Sequence, residues 1–256
     1  MLYHLRRLYE IMKKQPHIQL SSDINVDSAI IVGDPARVNL ISELMTSSQF
    51  LNFNREYKSV IGTYKNKNVL AISTGIGAPS TAIAIEELNN IGIKHIIRVG
   101  SAGAMQPNIN LGDLMIAEGI VRDDGLTKKY VPSIYPALPS FHLLTLAHKY
   151  KPKATYGIVR SHDGFYMDDN EQVEDFWTSK GIIGADMESG ILFILGQLRK
   201  LKTLSILTNV VLFKADITSG INNFVEKDEQ IKKGEREAIC LALAILSDHS
   251  LMEVPK

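Results

Sequence analysis

Three arginines, each beside small or turn-forming residues, are the side chains of this sequence best placed for chemistry. They are Arg37 in Gly33-Asp34-Pro35-Ala36-Arg37, Arg55 in Asn54-Arg55-Glu56-Tyr57, and Arg98 in Arg98-Val99-Gly100-Ser101-Ala102-Gly103. A guanidinium presents a planar fork of N–H donors that matches phosphate bidentately, and a neighbouring glycine lets backbone N–H groups approach the same oxygens. Singly, Gly-Asp-Pro is an ordinary turn and an arginine an ordinary surface charge. Three such forks converging on one point would make an oxyanion pocket. Further along, Asp186-Met187-Glu188-Ser189 offers carboxylates that can accept hydrogen bonds from vicinal hydroxyls, with a polarisable methionine between them.

Other catalytic patterns fail on inspection. Gly75-x-Gly77 is followed by Pro79-Ser80 and does not complete G-x-G-x-x-G, and no Walker A sequence occurs. Ser161-His162-Asp163 holds the residue types of a hydrolytic triad, but sequence neighbours project in diverging directions and cannot line up as nucleophile, base and orienter. Gly100-Ser101-Ala102-Gly103 does not fit G-x-S-x-G, and H-E-x-x-H is absent. The pattern suits a free phosphate better than a dinucleotide or a nucleoside triphosphate.

These residues need a scaffold, and 256 residues with 45% hydrophobic and 22% charged side chains suffice for one well-buried domain, taken here as 1–256. Lysine plus arginine equals aspartate plus glutamate at 28 each, so no bulk charge favours nucleic acid or a membrane surface. The single cysteine, Cys240, excludes an intramolecular disulfide and any cysteine-cluster metal site, which fits a reducing cytoplasm. No apolar run approaches the roughly 18 residues of a membrane span. Residues 1–16, with Arg6, Arg7, Lys13 and Lys14 among apolar residues, read as an amphipathic helical extension.

Short apolar runs at Ala29-Val32, Val69-Ser73, His95-Val99, Leu114-Ala117, Gly157-Val159 and Thr203-Thr208 read as strands. Helical periodicity marks Ala82-Leu88, Ser189-Leu198 and Ile231-Leu246. Ser59-Tyr64 and Asn68-Ser73 flank Lys65-Asn66-Lys67 as a hairpin. The expected fold class is α/β, a three-layer sandwich with a mixed central sheet flanked by helices and without internal repeats. The glycines at Gly33, Gly75 to Gly77 and Gly100 to Gly103 would follow strand ends, where ligands bind in such sheets.

Taken in order, with Ser73-Thr74-Gly75-Ile76-Gly77-Ala78-Pro79-Ser80 between the second and third arginines and Asp186-Met187-Glu188 later, these motifs resemble the nucleoside phosphorylase family. That family contains hexameric purine nucleoside phosphorylases and uridine phosphorylases, and the resemblance runs from about residue 17 to about residue 248. It implies phosphorolysis: inorganic phosphate as co-substrate, no organic cofactor, and a nucleoside cleaved to free base and pentose 1-phosphate. By resemblance Gly33, Arg37, Arg98 and Ser101 hold the phosphate, and Arg55 reaches in from a neighbouring subunit. Met187 and Glu188 hold the ribose. Asp186 stands where the family has glutamate, and Phe165, in Asp163-Gly164-Phe165-Tyr166, packs on the base. Pro16-His17-Ile18 is similar to a segment whose histidine crosses to the neighbour's ribose 5′-hydroxyl, and Glu56 matches a glutamate that binds a monovalent cation in some uridine phosphorylases. A site shared in this way needs at least a dimer, and the family's hexamer, a trimer of dimers, is the expected assembly.

The motifs divide over the base. Ser73 to Leu88 and Val121-Arg122-Asp123-Asp124-Gly125 look like uridine phosphorylase, yet the glutamine and arginines with which that subgroup reads uracil are missing. Asn54-Arg55-Glu56-Tyr57-Lys58-Ser59-Val60, Leu198 to Thr203 and Phe213-Lys214 look closest to apicomplexan purine nucleoside phosphorylases. Purine enzymes place an aspartate after the late strand to protonate N7 or hydrogen-bond to it. Here that strand reads Thr208-Asn209-Val210-Val211-Leu212, which leaves Asn209 as a hydrogen-bond donor and Asp216 as a substitute acid. The expected activity is purine nucleoside phosphorolysis, with uridine phosphorolysis and non-catalytic nucleoside binding as alternatives. A nucleosidase, which uses water, would not need three phosphate-facing arginines.

Overall fold

The computed structural model describes residues 13–215 and 229–251. Nine strands form one mixed sheet in the order β2-β3-β4-β1-β5-β8-β7-β6-β9, and β5 also pairs with β9. The five strands β5, β8, β7, β6 and β9 therefore close on themselves, while β2, β3 and β4 extend from β1 as an antiparallel wing. Strand β1 (Ser28–Val32) lies parallel to β4 (Lys67–Ser73) and β5 (His95–Ala104), and β5 runs parallel to β9 (Lys202–Val211).

Strand β1 shows why two helical layers are needed. Ala29 and Ile31 belong to one core cluster and Ile30 and Val32 to the other, as the two-residue period of a strand buried on both faces requires. Helices α2 (Ala78–Asn90) and α6 (Ser189–Leu198) cover the first face. The second is covered by α1 (Pro35–Leu44), α4 (Phe141–Tyr150) and α7 (Glu229–Leu246). The three-layer α/β sandwich is thus the observed fold. Its remaining elements are β2 (Thr46–Asn54), β3 (Tyr57–Tyr64), β6 (Leu114–Asp123), the short α3 (Thr127–Tyr130), β7 (Thr155–His162), α5 (Asn170–Thr178) and β8 (Gly184–Asp186).

The hairpin at Lys65-Asn66 joins β3 to β4 with Tyr64 opposite Lys67. Both turn residues have positive φ, as a two-residue hairpin turn demands. One expectation is corrected. Gly100 to Gly103 does not follow a strand end: β5 continues through Ala104, because β9 pairs with it as far as Gly103. Of the helical extension at 1–16, residues 1–12 lie outside the described residues, and 13–16 form coil and turn.

Candidate functional site

The carboxyl ends of β1, β4, β5, β7 and β9 open on a cavity of about 650 Å3. At β1 the chain passes through Gly33 into α1, whose N-cap is Asp34: its carboxylate accepts from Ala36 N at 2.8 Å, with Pro35 in the first turn. Gly-Asp-Pro is therefore a helix start, and it places Arg37 in the first turn of α1 beside the cavity. A Cβ on Gly33 would meet Gly75 O at 3.3 Å, so these two crossings of the chain lie close together.

Arg37 is 4% exposed, and four of its five N–H donors are engaged. Its Nη1 donates to Val99 O at 3.1 Å and its Nη2 to Ser101 Oγ at 2.9 Å, while Nε and Nη2 both reach Glu235 Oε1 on α7, at 3.0 and 2.6 Å. Arg98, in the middle of β5, shares a face with Gly100 two residues on. A Cβ at Gly100 would stand 2.5 Å from Arg98 Nη2, so glycine there is what lets the guanidinium fold back over its own strand. Arg98 Nε donates to Asp186 Oδ2 at 3.0 Å, and Nη2 pairs with Glu188 Oε2 at 2.5 Å.

Both carboxylates are held from the other side as well. Asp186 accepts from Ser189 Oγ at 2.6 Å and Ser189 N at 3.1 Å at the start of α6, and Glu188 Oε1 accepts from Gly77 N at 2.6 Å. Burial pulls Arg98 down, but Glu188 and Asp186 outweigh it and hold the guanidinium above its ordinary value. Glu188 moves up: burial is the main cause, and Arg98, divided between two carboxylates, offsets it only in part.

Of the residues singled out in the sequence, Gly33, Arg37, Arg98, Ser101, Phe165, Asp186, Met187 and Glu188 all line this one cavity. Arg55, His17 and Glu56 do not. Arg55 is exposed, with φ of +55° at the turn between β2 and β3. It is nevertheless tied to His17, because the adjacent Asn54 donates from Nδ2 to His17 O at 2.8 Å. Glu87 accepts from the His17 backbone N–H and pairs with its Nδ1 at 2.7 Å, which fixes the ring. Glu56 is half-buried at the same turn, its side chain against Gly75. Among the described residues no group of three or more histidine, cysteine or acidic side chains could hold a metal ion.

Asn209 is corrected. It is fully buried, its Nδ2 donates to Asn110 O at 3.0 Å, and Val210 and Val211 face the cavity in its place. Its amide is spent pinning the Ile109-Asn110 backbone after β5 and offers the cavity no donor. Asp216 lies outside the described residues.

The cavity also takes residues with no site role assigned from the sequence. His162, Asn170, Glu174 and Lys214 all line it, from β7, α5 and the segment after β9. In the sequence His162 stands out only as part of Ser161-His162-Asp163. The strand geometry separates that trio, with His162 at the cavity, Asp163 exposed and accepting from Gly125 N, and Ser161 buried near Gly190. A carboxyl-terminal strand position was the one available signal for His162. Glu174 gave none, since its placement depends on how α5 packs.

The family model described as Phosphorylase superfamily matches residues 27–247. Among curated proteins, a guanosine phosphorylase from Halorubrum lacusprofundi is 32% identical over 238 residues, covering 91% of this chain and 97% of that protein. Among solved structures, a uridine phosphorylase from Vibrio fischeri ES114 superposes with a TM-score of 0.85 at 46% identity, covering 93% of this chain and 98% of the other. A purine nucleoside phosphorylase from Toxoplasma gondii, in complex with immucillin-H, gives a TM-score of 0.83 at 28% identity, covering 94% and 98%.

Proposed function

Because the chain belongs to the phosphorylase superfamily and is a nucleoside phosphorylase, a pentosyltransferase, we propose that its substrate is a purine nucleoside, cleaved by phosphate to free purine and pentose 1-phosphate. A phosphate oxygen attacks C1′ as the N-glycosidic bond breaks. The bonding pair leaves with the base, which takes up the proton that the attacking dihydrogen phosphate gives up, directly or through water, and the sugar passes through an oxocarbenium-like state. The protein's part is positioning and electrostatics.

Arg37, Arg98, Ser101 and the Gly33 backbone take the phosphate, Glu188 and Met187 the sugar hydroxyls and ring, and Phe165 the base. The observation that carries this reading is the 2.5 Å contact between Arg98 Nη2 and Glu188 Oε2, which sets the anion-binding and hydroxyl-binding groups side by side. Asp186 acts here as a support that orients Arg98 through Nε.

The purine half of the reading rests on what the aromatic wall lacks. Uracil presents two carbonyl acceptors, and among the described residues the cavity's cations are Arg37, Arg98 and Lys214. The first two are committed to the anion end, and Lys214 pairs with Asp175 at an exposed position. Uridine remains the second reading, favoured by the 46% identity to the Vibrio fischeri structure.

Arg55 and His17, joined through Asn54 on one surface, complete the site of a neighbouring copy, so that a dimer is the smallest active unit and three dimers the assembly. Exposed Phe50 and Phe53 on edge strand β2 beside this surface suit such a contact. Glu56, at the same turn, is the candidate for a monovalent cation between copies. No helix among the described residues is long and apolar enough to cross a membrane. With one cysteine, the chain suits a reducing cytoplasm.

The test is base release from inosine, guanosine, adenosine and uridine, each with and without inorganic phosphate, with chromatography for pentose 1-phosphate. Phosphate-dependent purine release is expected. Preference for uridine would replace the purine reading, and nucleoside binding without release would favour a binding protein.

A further inference from the structure

We infer that His162 and Glu174, with Asn170, select the nucleobase, and that they favour one whose exposed edge carries adjacent N–H donors, the 2-amino-6-oxopurine class of guanine. The inference rests on the nucleoside reading of the cavity given above and deepens it.

His162 ends β7 and is 9% exposed. Its Nδ1 lies 2.7 Å from Gly164 O, and a carbonyl only accepts, so the ring proton sits on Nδ1. In the neutral ring Nε2 is then a bare lone pair. Burial, and after it the Arg160 guanidinium, lower the pKa of this histidine from 6.5, which keeps the ring neutral at physiological pH.

Glu174, on α5, lines the same cavity half-buried; its side chain makes no hydrogen bond or ion pair with any described residue, although the Arg160 guanidinium acts on it electrostatically. Asn170 donates from Nδ2 to Phe165 O at 3.4 Å, while its Oδ1 is buried without a partner. Three groups with unused acceptor capacity thus belong to the same cavity as Phe165. Acceptors that a bound base shields from water and leaves unpaired are costly, so a ligand is selected by the donors it brings.

Guanine offers N1–H and its 2-amino group side by side, the spacing that a carboxylate takes with two parallel bonds. Hypoxanthine lacks the amino group, adenine has an acceptor at N1, and uracil sets its one N–H between two carbonyls. The expected order is guanosine first, then inosine, with adenosine and uridine last. One charged hydrogen bond made or lost corresponds to roughly ten- to a hundredfold between neighbours in that order.

The experiment measures kcat/KM for guanosine, inosine and uridine at saturating phosphate for the wild-type protein and for Glu174→Gln, Glu174→Leu and His162→Leu. In parallel, calorimetry measures guanosine and inosine binding without phosphate. Thermal unfolding confirms that each variant is folded. Guanosine should lead in the wild type, and Glu174→Leu should bring the guanosine-to-inosine ratio from about tenfold or more to near one, with Glu174→Gln between. His162→Leu should lower both purine nucleosides relative to uridine. Phosphorolysis that prefers uridine, or a guanosine-to-inosine ratio unmoved by either Glu174 variant, overturns the inference while leaving phosphorolysis intact. Guanosine binding that is tighter than inosine binding and lost in Glu174→Leu, without any turnover, would keep the base selection and remove the phosphorolysis.

Discussion

Replacing Arg98 with methionine, which is of similar length and carries no charge, should destabilise the ligand-free protein in a way that depends on pH. The Arg98, Asp186 and Glu188 side chains are 4%, 0% and 6% exposed, and one guanidinium serves both carboxylates. Removing the cation leaves two buried anions without it, and breaking a buried pair in this manner costs about 3–5 kcal/mol. At about 2–4 °C per kcal/mol for a chain of this size, the unfolding midpoint at pH 8 should fall by roughly 6–20 °C.

The two carboxylates do not share that cost equally. Asp186 keeps both donors of Ser189, whereas Glu188 is already pushed up by its burial, so Glu188 is the group that takes up a proton. An acid whose folded pKa is raised binds more protons folded than unfolded. Its penalty is absent below the unfolded value near 4.5 and grows as pH rises through the folded value. Arg98→Met raises that folded value further, so the gap to wild type should narrow as pH falls from about 8 to about 5. Adding Glu188→Gln to Arg98→Met should recover about 1–3 kcal/mol at pH 8, because the second substitution removes the stranded charge. Thermal unfolding by circular dichroism, at fixed protein concentration without phosphate, reads all three effects. A midpoint for Arg98→Met within about 2 °C of wild type at pH 8 would refute the assignment of a buried, shared guanidinium. So would a pH-independent gap, or a further fall on adding Glu188→Gln.

Two more substitutions probe the anion end. Glu235 Oε1 occupies the Arg37 fork at 2.6 and 3.0 Å, so Glu235→Gln should free the fork and lower the KM for phosphate about tenfold, equivalent to ~1.4 kcal/mol; an unchanged or raised KM would count against it. Mixing inactive Arg55→Ala and Glu188→Ala proteins should restore about a quarter of wild-type activity, since half of randomly mixed dimers carry one intact site of two. No recovery, with subunit exchange demonstrated by mass spectrometry, would place Arg55 outside the shared site.

Most of the fold was legible because its strands are short apolar runs with a two-residue period. Ala29 to Val32 and Val69 to Ser73 could be read as buried strands, and the Lys65-Asn66 turn fixed one hairpin. β2 was not legible: it is an edge strand whose first five residues are exposed, so it carries no burial pattern. The far end of β5 was missed because Gly100 and Gly103 read as a loop, yet tertiary pairing with β9 overrides glycine's weak strand preference there. At the site, the arginines and Asp186-Met187-Glu188 were visible as residue types. Which atoms they hold was not visible, because Arg98, Gly77 and Glu188 meet only through the fold. Asn209 was misjudged because its position next to the cavity-lining Val210 says nothing about which way its amide turns.

The arrangement of carboxylates follows from the arginines. Two guanidiniums buried to within 4% of full burial cannot stand without anions, and in the ligand-free chain Glu235, Asp186 and Glu188 supply them from α7 and the approach to α6. A bound phosphate meets forks that are already desolvated and oriented, and it competes with carboxylates for them. The aromatic wall has the reverse imbalance, with acceptors at His162, Glu174 and Asn170 and a short supply of donors. One cavity therefore holds both paired cations and acceptors with spare capacity. An anion together with a base rich in N–H groups satisfies both sets at once, whereas either ligand alone leaves one set as it was.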